Sequence, residues 1–69
     1  MSEFKVGGVV ERAGILIPDY MKRGTIIRVI PNKDGIESFT EYDVNFDDKV
    51  IAGFYQIQLR LVKFAPNSE

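Results

Sequence analysis

Four acidic side chains within eight residues, Glu41, Asp43, Asp47 and Asp48, are the densest set of potential acid–base groups and metal ligands in the chain. Paired carboxylates act as general acid and base only where a cleft desolvates one of them and raises its pKa. A chain of 69 residues has little room for such a cleft, so no catalytic residue is assigned and the chain reads as non-enzymatic; a small enzyme built at an oligomer interface is the third alternative, behind a binding module and a nucleic-acid-associated one. Calcium takes roughly six to eight oxygens. The Asp47-Asp48 turn offers two carboxylates without the spaced ligands of a calcium loop, and no metal site is assigned. Gly7-Gly8 is not followed by the lysine of a phosphate loop. The chain holds neither histidine nor cysteine, which removes imidazole catalysis, thiol chemistry, disulfides and the usual structural zinc. No cofactor is expected.

The elements that must carry these residues explain the carboxylates differently. Glu41-Tyr42-Asp43-Val44-Asn45-Phe46 alternates polar with large apolar side chains, and a strand sends alternate residues to opposite faces. Tyr42, Val44 and Phe46 are therefore core, and Glu41, Asp43 and Asn45 form an outer, solubilising face. From Asp34 to Asp48 there are six acidic residues and no basic one, which disfavours nucleic acid on that side.

A length of 69 residues allows one core, and the chain is read as a single domain over 1–64 with a flexible tail at 65–69. The composition, 45% apolar and 28% charged with a formal net charge of −1, is that of a globular protein with no overall attraction to nucleic acid or anionic lipid. A core of this size supplies only about 3–5 kcal/mol, which a homodimer interface would supplement. The first residues lack the basic segment and apolar run of a signal peptide, and no window is apolar enough to span a membrane. The expectation is a cytoplasmic protein that does not enter the membrane.

Helical periodicity is almost absent, and β-branched and aromatic runs separated by turn residues predict five short strands near 6–12, 24–30, 37–46, 49–55 and 59–63. Gly7-Gly8 suits a sharp bend in the first strand. Gly14–Lys22 is a long ordered loop, with Ile15, Leu16 and Ile17 expected to fold back over an open end of the core. Pro31-Asn32-Lys33-Asp34-Gly35 is a turn, and the third strand is expected to run from Ile36 to Phe46. Asp47-Asp48 makes a tight hairpin, and Gln56-Ile57-Gln58 a single helical turn.

This order of elements resembles the Src-homology-3-like small barrel from about Phe4 to Val62. The residues that carry the resemblance are Phe4-x-Val6-Gly7, Gly24-Thr25-Ile26 with Val29, Tyr42-x-Val44-x-Phe46, and Leu59 followed by Leu61. The chain is similar to the KOW and Tudor-like branches of that superfamily, which implies an all-β, five-stranded antiparallel barrel with one helical turn before the last strand. In such barrels the long loop and that turn lie near one another, so Tyr20, Met21, Tyr55 and Gln56 are the candidate binding residues for a peptide, a protein surface or a second copy. Each of them could equally cap the core. A Tudor-like aromatic cage would draw on Tyr20, Phe39, Phe54 and Tyr55. The alternative implied by KOW modules is a nucleic-acid contact through Lys22, Arg23, Arg28 and Arg60, against which the acidic segment weighs.

Overall fold

The alternating segment forms the centre of the fold. In the computed structural model, which describes residues 4–47 and 49–66 and of Tyr20 only the backbone, it is strand β3 (Glu41–Phe46), with Tyr42, Val44 and Phe46 fully buried. The other strands are β1 (Val9–Arg12), β2 (Gly24–Ile30), β4 (Lys49–Tyr55) and β5 (Leu59–Lys63). They make one antiparallel sheet in the order β4-β3-β2-β1-β5. The remaining regular structure among the described residues is three single 3-10 turns, Asp19–Met21, Glu37–Phe39 and Gln56–Gln58. The all-β reading and the turn before the last strand are borne out. No helix among the described residues is long and apolar enough to cross a membrane.

Every strand feeds one core. Val10, Ile26, Tyr42, Val44, Phe46, Phe54 and Leu59 cluster there with Phe4, so the two outer strands, β4 and β5, contribute to the same cluster and the sheet must curl around it. Phe46 meets Phe54 edge to face at 5.8 Å between ring centres, and Phe4 lies tilted against Tyr42 at 5.5 Å. The pattern of inward residues depends on bulges, which add a residue to one strand and reverse its parity. In β2 the register shifts between Ile26 and Arg28, which leaves Ile27 and Arg28 exposed and returns Val29 to the core. Without that shift Arg28 would point inward. In β4 the register shifts where Gly53 takes φ 81°, and its N–H donates to Oδ1 of Asp43 at 3.2 Å. Asp43 is thus more than a solubilising side chain, because it satisfies a backbone donor that the bulge takes out of the ladder.

Three expectations need correction. The first strand begins at Val9 rather than near residue 6, because Gly7 (φ 95°) and the Gly8 N–H bond to the Lys5 carbonyl at 2.9 Å make a turn. The third strand begins at Glu41: Asn32 Oδ1 accepts from Asp34 and Ile36 N–H, which folds 32–36 into a turn, and the next residues wind into the Glu37–Phe39 turn. The loop after β1 does not fold Ile15 and Leu16 back: they are 97% and 90% exposed, while Ile17 is partly buried and Met21 packs against the core. Ala65 is buried and lies with Pro66 against Gly7, so packing continues past residue 64; residues 67–69 are outside the described residues.

Candidate functional site

The turn at Glu37–Phe39 and the turn at Gln56–Gln58 pack against one another at one end of the sheet. Each is held by short-range bonds. Phe39 N–H donates to Ile36 O and Thr40 N–H to Glu37 O, both at 3.0 Å, and Thr40 is buried as the chain enters β3. On the other side Tyr55 ends β4 opposite Glu41, and its N–H donates to Gln58 Oε1 at 2.9 Å, so the Gln58 side chain closes the start of the second turn.

These turns bring Phe39 and Tyr55 together, their ring centres 6.1 Å apart and their planes at 62°. Both rings are part exposed, 52% and 40%, and Ile57 beside them is 87% exposed. Between the turns lies a groove of about 620 Å³ whose buried base is Phe4 and Leu59 and whose walls are Phe39, Tyr55, Gln56 and Ile57. Among the described residues Glu37 is the only charged one that lines it. Oε1 of Gln56 is buried with no hydrogen-bond partner among the described residues. An apolar concavity with a few polar groups is the usual form of a binding site.

Of the binding residues expected from the sequence, the structure places Tyr55 and Gln56 in this groove. Met21 is half-buried and packs on the core, so it caps the core instead of joining an exposed surface. The side chain of Tyr20 lies outside the described residues, and with it the expected approach of Tyr20 to Tyr55. Of the aromatic-cage candidates, Phe54 is a core residue and Phe39 pairs with Tyr55. In comparisons with family models, curated proteins and solved structures, nothing matches this chain.

The basic residues of the nucleic-acid alternative are dispersed among acidic ones. Lys22 and Arg23 line a second cavity of about 470 Å³ together with Asp19 and Asp47, and Lys22 Nζ lies 3.1 Å from Asp19. Arg28 stands opposite Asp43 in the β2–β3 ladder, and Arg60 lies 3.8 Å from Glu11.

Glu37 and Ile57 were not among the expected binding residues, and Phe39 was expected only as a member of an aromatic cage. Reading residues 36–46 as one strand hid the turn that carries Glu37 and Phe39. Ile57 had one visible signal, an isolated large apolar side chain between two glutamines in a segment too short to bury it.

Proposed function

We propose that this chain is a Src-homology-3-like small barrel of the KOW/Tudor-like type that acts as a non-enzymatic binding module, taking a peptide or protein surface in the groove between the Glu37–Phe39 and Gln56–Gln58 turns. The fold assignment is supported by the strand order β4-β3-β2-β1-β5, by a single 3-10 turn between β4 and β5, and by a core drawn from all five strands. The functional reading rests on one observation, the exposed Phe39–Tyr55 pair with Ile57 above a buried apolar base. Aromatic side chains at such a concavity offer large apolar area with few torsions to freeze on binding.

A displayed peptide library selected on the wild-type protein and counter-screened on a Phe39→Ala/Ile57→Ser variant tests this. Enriched peptides carry apolar anchors, and their affinity falls at least about tenfold on the variant. Peptides that bind both proteins equally, or a library with no groove-dependent binder, would refute it. The substituted side chains are exposed, so the variant retains its fold, as circular dichroism will show.

A further inference from the structure

Two apolar features of this molecule are exposed among the described residues. One is the groove. The other is the loop tip, where Ile15 and Leu16 project almost wholly into solvent, an arrangement that soluble surfaces rarely keep for adjacent large aliphatic residues. The loop leaves the sheet right beside the groove: Arg12 pairs with Leu59 in the β1–β5 ladder, and Ala13 N–H donates to Gln58 O at 2.8 Å. A protruding loop whose base borders a receiving groove suits a two-fold dimer, in which each copy's protrusion enters the other's recess.

Charge agrees with this pairing. Arg12 stands at the base of the loop and Glu37 lines the groove, and neither has a salt bridge among the described residues. The residues between Arg12 and Asp19 carry no charge. Taking the groove as a binding site, we propose that its occupant is a second copy of this chain: Ile15 and Leu16 of one protomer lie against Phe39, Tyr55 and Ile57 of its partner, and Arg12 of one faces Glu37 of the other. Such a contact covers the exposed aliphatic and aromatic side chains of both copies and adds an interface to a core of limited size.

Sedimentation equilibrium from about 10 μM to about 1 mM measures the association. The expected result is a monomer–dimer equilibrium whose Kd rises at least about tenfold in Ile15→Ser/Leu16→Ser and in Phe39→Ala/Ile57→Ser. Mixing those two variants restores a heterodimer, since one intact loop then meets one intact groove. Arg12→Glu and Glu37→Arg each weaken the dimer, and the double variant recovers it. The loop substitutions touch almost fully exposed side chains, so a folded loop variant is assured as a control. A wild-type protein that stays monomeric, or a dimer indifferent to both sets of substitutions, overturns the proposal. So do groove amide shifts on loop substitution that are independent of concentration, because the loop then closes over its own groove. Groove-dependent peptide binding by a strictly monomeric protein overturns the dimer alone and leaves the groove's binding role standing.

Discussion

Replacing Gly24 by alanine places a methyl group inside the packed face between β2 and β3. The added Cβ would sit 2.6 Å from Phe46 Cδ1, 2.6 Å from Val44 Cγ1 and 2.8 Å from Phe46 Cε1. Carbon atoms are at their best separation near ~3.5–4.0 Å, so three contacts are each too short by about 1 Å. Neither partner can swing aside, because Val44 and Phe46 are fully buried and β3 is laddered to both β2 and β4. Overpacking typically costs about 1–3 kcal/mol and occasionally more. Three simultaneous overlaps with immobile neighbours put Gly24→Ala at about 3 kcal/mol or above, against roughly 3–5 kcal/mol for a core of this size. The control is Gly35→Ala, where the new Cβ meets nothing within 4 Å but φ is +76°, a backbone cost of roughly 1–2 kcal/mol. Urea melts of both variants give the comparison through their midpoints, provided the slopes agree. Adding Val44→Ala to Gly24→Ala removes one of the overlaps, so the double variant should be more stable than the sum of the two losses. If Gly24→Ala melts no lower than Gly35→Ala, the close approach of β2 to β3 is wrong and the core reasoning with it.

In the same melts Phe46→Ala should cost about 3–5 kcal/mol. Asp43→Ala should cost about 1 kcal/mol through the lost bond to Gly53 N–H; a neutral result would mean that the carboxylate does not cap the bulge. Asp47 has φ 50°, a conformation that aspartate tolerates and a β-branched residue does not, so Asp47→Val should lose about 1–2 kcal/mol in a thermal melt while Asp47→Asn stays near wild type. Fluorescence anisotropy with random single-stranded DNA or RNA at near-physiological salt should show negligible binding, because the basic residues lie among acidic ones. Micromolar affinity with a steep salt slope would instead favour Lys22, Arg23, Arg28 and Arg60 as contacts.

Much of the strand content is legible in short sequence windows, because it follows from local physics. Tyr42-x-Val44-x-Phe46 must share one face of any strand, Pro31 to Gly35 must turn, and Gln56-Ile57-Gln58 is too short and too polar at its flanks for anything longer than one turn. The position of Tyr55 and Gln56 where a strand meets a turn was legible for a similar reason. What the tertiary structure decided is everything that depends on which segments become neighbours. The bulge at Ile27 that turns Arg28 outward and the bond from Gly53 to Asp43 arise from register between strands, which no single strand encodes. Met21, and not Ile15 or Leu16, packs against the core, a choice that hydrophobicity alone does not make among the apolar residues of one loop. The groove joins Phe39 to Tyr55 and Ile57 across 16 and more residues of chain, where two 3-10 turns on different connections meet. Its existence follows from packing of the finished sheet, since either turn alone would present only an exposed apolar side chain to water.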